Sequence, residues 1–410
     1  MESAGGLPGV SVTAEEHIIL HVDNDCFYAA CERIRDPSLE SEPVIVGMGF
    51  EPGESGGVVA TASYEAREYG IESAQPISEA MEKLPPRGQS DAVETGIYRP
   101  VDMSFYQTTA NQVKEILHAH ADIVREVSID EAYLDCTEQT SWNDVYSFAR
   151  QLKATIEDQL GLPVSIGVGP SMSVAKIASD IDKPDGLRVV HPGEVTEFLE
   201  PLPVKDLHGV GPKTASALHA DGIESIGDFA AQPTDKIRDH LGDRGVELHQ
   251  RARGIDRRTV SPRGDPKSLS RESAFSEPTT DVEEIRERLK ALAAAVASRA
   301  QEKGALYQTI GIKVVTPPFE IATRERSLPG PIDDSDIVTS VACELLKEFE
   351  GESIRKIGVR VANLSFSGGD QARLGTWESA QHVSTGESIQ RENNYHRDGQ
   401  TSLSDYSSDE

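Results

Sequence analysis

With 410 residues the chain is long enough for two to four domains with cores of their own. Against 40 basic residues stand 69 acidic ones, giving a net charge of −29 and a pI near 4.8. No apolar run approaches the ~18–20 residues of a membrane span, and the start, MESAGGLPGVSVTAEEH, has neither a basic end nor an apolar signal core, so a cytoplasmic protein is expected.

Residues 1–16 read as a disordered leader. From 17 to about 190 strands and helices alternate: strands at 17–22, near 43–47 and near 57–61, helices near 101–119 and 143–160, a hairpin-like 123–136, and a strand at 163–168 entering a helix from about 171. That order is α/β. A helical region follows at 193–253, punctuated by GVG and closed by Gly254, and 255–267 (IDRRTVSPRGDPK) has the content of a tether. Then comes an α+β unit. Thr280-x-x-Glu283 reads as a capping box, Ile285, Leu289, Leu292 and Val296 recur at helical spacing, and strands near 306–315 and 354–364 flank a helix at 334–350. After Phe366 the composition turns to Gly, Ser, Gln, Asn and acid, which predicts a disordered tail. Cys26, Cys31, Cys136 and Cys343 lack ligand spacing and read as reduced thiols.

Two segments carry the chemistry. HVDNDCFYAACE at 21–32 reads as a strand ending on Asp23 and Asp25, and VSIDEAYLDC at 127–136 as one that delivers Asp130 and Glu131. Acids at the ends of separate strands can converge on a hard cation such as Mg²⁺. Solvated turn acids are the plainer reading of either segment alone. Both, however, closely resemble the metal-binding motifs of Y-family DNA polymerases of the DinB or polymerase IV branch. ATASYEAREYG at 60–70, AKIASDIDKPDG at 175–186 and RKIGVRVANLSF at 355–366 resemble the same family in the same order.

The resemblance implies a right-hand polymerase with a palm at 17–26 and 93–190, small fingers at 27–92, a helix-hairpin-helix thumb at 191–256, a linker at 257–266 and a little finger at 267–366. It implies two Mg²⁺ ions held by Asp23, Asp130, Glu131 and the backbone carbonyl of Asn24. Both acids of the pair reach the metals only if the backbone turns there, because strand neighbours face opposite ways. Asp25 matches no principal ligand and reads as structural. Tyr28 falls at the steric gate that excludes a 2′-hydroxyl, although without the motif it would read as a core tyrosine. Tyr64, Arg67 and Lys183 match the triphosphate contacts.

Strand, Gly167-x-Gly169 and helix also open a dinucleotide fold, but Met172 stands where its third glycine belongs. LHGVGPKTASAL at 207–218, with Gly209, Gly211 and Lys213, reads as a helix-hairpin-helix whose amides can hold a DNA phosphate. Arg324, Arg326, Arg355 and Arg360 sit among strands that in the family lie along the major groove.

The implied activity is translesion synthesis: template-directed addition of dNMP to a primer 3′-end, at low fidelity and without an exonuclease domain for proofreading. A nucleotidyl cyclase sharing the palm, and a non-catalytic DNA-bound scaffold, are the rivals. The expected partners are primer-template DNA, dNTPs and a sliding clamp, for a monomeric enzyme. The tail supplies two clamp-binding candidates, Gln371, Leu374, Trp377 and Gln400, Leu403, Tyr406, which lack a second aromatic since Glu378 and Ser407 occupy that place. Net negative charge opposes nucleic-acid binding. The acid is spread evenly and arginine outnumbers lysine about two to one, a composition suited to molar salt, where charge is screened within about 3 Å.

Overall fold

A computed structural model describes residues 17–88 and 93–366; the expected leader, the tail and both clamp-binding candidates lie outside the described residues. The chain divides after Arg263 into two units. The first runs β1 (Ile19–Asn24), α1 (Phe27–Arg35), β2 (Val44–Met48), β3 (Val58–Ala62), α2 (Tyr64–Glu68), α3 (Ile77–Lys83), β4 (Ile97–Pro100), α4 (Met103–His120), β5 (Ile123–Glu126), β6 (Glu131–Asp135), α5 (Val145–Leu160), β7 (Val164–Gly169), α6 (Met172–Ile181) and β8 (Leu187–Val189). Four helices follow: α7 (Val195–Leu199), α8 (Pro212–Ala220), α9 (Ile226–Ala230) and α10 (Thr234–Ala252).

The main sheet has the order β5-β6-β1-β7-β8, antiparallel except where β7 meets β8. Central β1 is buried along its whole length, which is why ILHV reads as an apolar run rather than an alternation. Helix α6 lies against β1 and β7, and the glycines of the Gly-x-Gly turn let it do so. A Cβ on Gly167 would stand 2.1 Å from the Ala175 carbonyl oxygen, and one on Gly169 would meet Val174 at 2.6 Å. Their spacing therefore serves helix-on-strand packing.

A smaller sheet, β3-β2-β4, encloses Ile45, Val59, Ala62, Ile71, Ile77 and Leu84. The four helices share a core of Val195, Leu199, Leu207, Leu218, Phe229 and Leu248. The stretch expected as a tether is seated at its start: Val260 packs with Ile19, Tyr133, Met172 and Ala175, and Asp256 accepts from the Ser173 amide at 3.1 Å while pairing with Arg258 at 2.7 Å.

The second unit runs β9 (Ser268–Thr279), α11 (Val282–Glu302), β10 (Leu306–Thr316), β11 (Glu320–Ile332), α12 (Ser335–Leu346) and β12 (Ile354–Ser365), with the antiparallel order β11-β10-β12-β9. Both helices cover one face, where Ile310, Ile312, Val314, Ile357, Val359 and Val361 meet Leu289, Leu292, Val296, Val338 and Val341. The helix start differs from expectation: Asp281, not Thr280, is the cap, accepting from the Glu283 and Glu284 amides at 2.9 and 3.2 Å. Among the described residues no helix is long and apolar enough to cross a membrane.

Candidate active site

Antiparallel register places Asp23 on β1 directly opposite Glu131 on β6. Their carboxylates and the imidazole of His21 form the group in which ligand atoms all lie within 4.8 Å of one another among the described residues. Asp130 stands just before β6. There the backbone turns: the Val127 and Ser128 amides both donate to the Glu131 carbonyl, and Ser128 Oγ donates to Asp130 Oδ1 at 2.5 Å. Asn24 holds the turn to β1, giving its backbone and side-chain amides to the Asp130 carbonyl at 2.9 and 2.8 Å. Asp130 is not part of the tight group.

Two ammonium groups occupy the centre. Lys176 on α6 lies 3.0 Å from both Asp23 Oδ2 and Glu131 Oε2, while Lys183 lies 2.7 Å from Asp23 Oδ2 and 2.9 Å from Asp180. Behind Glu131, fully buried His21 places Nε2 at 3.4 Å and has its Nδ1 2.8 Å from Ser179 Oγ. Burial opposes ionisation of Asp23, but Lys176 and Lys183 outweigh it and hold the group below the usual carboxylate range. Glu131 is lowered likewise, burial being overcome by His21 and Lys176. Among the described residues no cation pairs with Asp130, and burial followed by the charges of Asp23 and Glu131 pushes it up to about 6.

Asp25 is held by other partners. Buried, it accepts from Ser165 Oγ at 2.8 Å, from the Asp185 amide at 2.8 Å and from the Tyr64 hydroxyl at 3.1 Å, so it ties α2 to the turn that carries Lys183. Tyr64 is therefore engaged with Asp25 in this structure, and the exposed Arg67 lies over its ring at 4.6 Å. Tyr28 is buried and stacks on Tyr106 at 4.5 Å between centroids; its hydroxyl has no hydrogen-bond partner among the described residues. Tyr106 in turn donates to Glu32 at 2.8 Å.

The impB/mucB/samB family model matches residues 22–180, its C-terminal domain matches 266–374, and the IMS family HHH motif matches 192–223. A DNA polymerase IV of Halobacterium salinarum is 54% identical over 375 residues, covering 91% of each chain, and one of Methanoculleus marisnigri is 41% identical, covering 86% of this chain and 96% of its own. The chain belongs to the impB/mucB/samB family, the Y-family DNA polymerases. Among solved structures, a Y-family polymerase chimera of Dbh and Dpo4 superposes with a TM-score of 0.75 at 28% identity, over 85% of this chain and all of that one. DinB from Sulfolobus solfataricus gives 0.59 at 26% identity, over the same shares.

Several family-implied DNA contacts have a definite setting. Gly209, at φ 98°, adopts a conformation that disfavours side chains, and a Cβ there would press on Leu248. Gly211 caps α8 without a side-chain hydrogen bond, Pro212 follows at its first position and Lys213 is exposed beside it. The four arginines do not share one face of the sheet. Arg324 is opposite Ile312 and Arg326 opposite Ile310, which puts both on the helix-covered face, paired with Glu348 at 2.6 Å and with Glu344. Alternation along β11 decides this. Arg360, opposite Gly311, is on the other face, and Arg355 lies over Phe319 at 4.6 Å.

Sequence reasoning missed Lys176 and His21. Both stand inside quoted motifs, but nothing in the letters says that a lysine one turn into α6 reaches two strands at once. Metal dependence fits the donor set: oxygen-only carboxylates from two strands, two ammonium groups already drawn to them, and in Asp130 a carboxylate left without a cation.

This last group yields a test of pH dependence. Folded Asp130 titrates near 6, above the ~3.9 of an unfolded chain, so its contribution to stability declines as pH rises from about 4 to about 6 and stays low above that, by up to about 3 kcal/mol. With chelator present, Asp130→Asn should unfold at a higher temperature than wild type at pH 8, and the two should converge near pH 4. Equal melting temperatures at pH 8 would refute the cost of holding Asp130 ionised in the folded chain.

Proposed function

We propose that the chain extends a primer 3′-end on a DNA template, adding dNMP from a dNTP with release of pyrophosphate, past damaged bases, at low fidelity and without proofreading. The observation that carries this is the meeting of Asp23 and Glu131 across two strands with Lys176 and Lys183 on their oxygens. On this reading the main sheet is the palm, the small sheet at 27–92 the fingers, the four helices at 191–256 the thumb, and 267–366 the little finger.

Asp23, Asp130, Glu131 and the carbonyl of Asn24 would hold two Mg²⁺ ions, whose chemistry when bound is to acidify the primer hydroxyl and to neutralise the departing pyrophosphate. The side chains of the chain do the rest. Lys183 exchanges a carboxylate for a phosphate oxygen when a triphosphate arrives, Arg67 adds a second positive charge, and Tyr64 turns its hydroxyl from Asp25 to the nucleotide. Tyr28 fills the space beside C2′ of the sugar, and the Tyr106 stack behind it keeps the ring from yielding. Gly209, Gly211 and Lys213 take a backbone phosphate of the duplex, and Arg360 another. A monomer in the cytoplasm suits this work.

Primer extension in molar KCl is the direct test. Wild type should require a divalent cation and work best at high salt, Asp23→Ala and Glu131→Ala should be inactive while folded, and Tyr28→Ala should incorporate ribonucleotides. Activity of Glu131→Ala near that of wild type, or unchanged sugar discrimination by Tyr28→Ala, would remove the corresponding assignment.

The tail motifs extend the proposal to a sliding clamp, with Leu403 and Tyr406 as the favoured anchors and Leu374 and Trp377 as the second copy. Tethering would raise the local concentration of the enzyme at the primer end. Deleting 368–410 should leave distributive synthesis intact and abolish stimulation by the cognate clamp, with Leu403→Ala and Tyr406→Ala giving much of the loss. Full stimulation of the truncated enzyme would refute the tether.

A further inference from the structure

The helix-free face of the second unit's sheet carries an arrangement that its strand pattern does not announce. Thr323, Lys313, Gly358 and Glu272 form one row across β11, β10, β12 and β9. Glu272 belongs to the edge strand, yet its carboxylate reaches over β12 to Lys313, with Oε1 and Oε2 at 3.0 and 3.1 Å from Nζ. It also takes Lys356, two residues along β12, at 2.6 Å. The crossing is possible because the intervening position is glycine: a Cβ on Gly358 would stand 2.6 Å from Glu272 Cγ. In the neighbouring row Arg360 lies opposite Gly311 and Ser270, also on this face.

Exposure is unequal within the cluster. The Glu272 side chain is 19% exposed, against 34% for Lys313 and 28% for Lys356, so both lysine side chains are more open to solvent than the carboxylate they share. One carboxylate thus restrains two lysines. Both lysines hold Glu272 ionised, below the usual carboxylate range, despite the burial that opposes it.

We propose that Glu272 is an internal stand-in for a DNA phosphate, restraining Lys313 and Lys356 on the helix-free face so that primer–template DNA has to compete for them. The proposal rests on the polymerase reading above, under which this unit contacts DNA. Its consequence is quantitative: removing the one negative charge of Glu272 raises the charge of the cluster by about one, so it should add about one unit to the dependence of log affinity on log salt. Glu272 is thereby a brake on affinity in a chain that must release its product duplex.

Binding of a labelled primer–template to the full chain, followed by fluorescence anisotropy across a KCl series, tests this with thermal unfolding of each variant as a control. Glu272→Gln should bind about threefold or more tightly at the lowest salt used and show the steeper salt slope. Gly358→Ala keeps every charge but obstructs the crossing, and should shift affinity in the same direction. The double variant Lys313→Gln, Lys356→Gln should bind more weakly with a shallower slope. If the double variant binds as wild type does, the DNA-facing reading of this sheet fails and the brake with it. If it weakens binding while Glu272→Gln and Gly358→Ala leave affinity unchanged or lower, the sheet faces DNA but Glu272 does not restrain it, and the proposal is overturned.

Discussion

The burial of neighbouring carboxylates at the end of two adjacent strands is the constraint around which the first unit is organised. The register of β1 against β6 sets Asp23 beside Glu131, and the turn at Ser128 brings Asp130 close enough for its charge to be felt. Buried carboxylates at this spacing are costly unless cations answer them. Lys176 and Lys183 answer two of the three, and they come from one helix and the turn that follows it, so α6 has to lie tight against β1 and β7. Gly167 and Gly169 are what that closeness requires. The acid centre and the glycines of β7 are two ends of one packing problem.

The same centre reaches the small sheet through Asp25. It is two residues from Asp23 and has its own set of partners, Ser165, the Asp185 amide and the Tyr64 hydroxyl, which converge on it. Two of the candidate nucleotide contacts, Tyr64 and Lys183, are thereby held from one carboxylate, one directly and the other through its turn. Burial of that carboxylate favours its neutral form, and the three hydrogen-bond donors work against this. A change in any donor would alter where both contacts stand, so the α2 segment and the 183–186 turn are coupled through Asp25, while Lys183 of that turn also pairs with Asp23.

Strand ends, acids and the order of motifs were legible in the sequence because they are local: β1, β7 and the long helices follow from apolar runs and helical spacing, and Asp23, Asp130 and Glu131 from their places within these. What was not legible depends on pairing across the chain. β9 (SLSRESAFSEPT) and β11 (EIATRERSLPGPI) show too few apolar residues to read as strands, because both are edge strands whose helix-covered positions include Arg271, Ser273, Arg324 and Arg326. Which face an arginine occupies is a matter of register, and register placed Arg324 and Arg326 beside the glutamates of α12 and the turn after it rather than beside Arg360. Lys176 was hidden for the same reason, being an ordinary helical lysine until three elements are brought together.

Acidity gives the separate observations a common consequence. With 69 acidic residues to 40 basic ones, several cations of this chain are already paired with carboxylates: Lys176 and Lys183 hold Asp23, Arg324 holds Glu348, Arg326 holds Glu344, and Lys313 and Lys356 hold Glu272. At these positions, binding an anion would be an exchange of one anion for another rather than the filling of an open positive surface. The net gain per contact is smaller than for an unpaired lysine, because the displaced carboxylate has to be rehydrated or screened. Molar salt lowers that cost by screening the displaced charge, while it also weakens the new contact. The contribution of each such paired contact depends on the difference between two screened interactions, and so falls less steeply with salt than that of an unpaired cation.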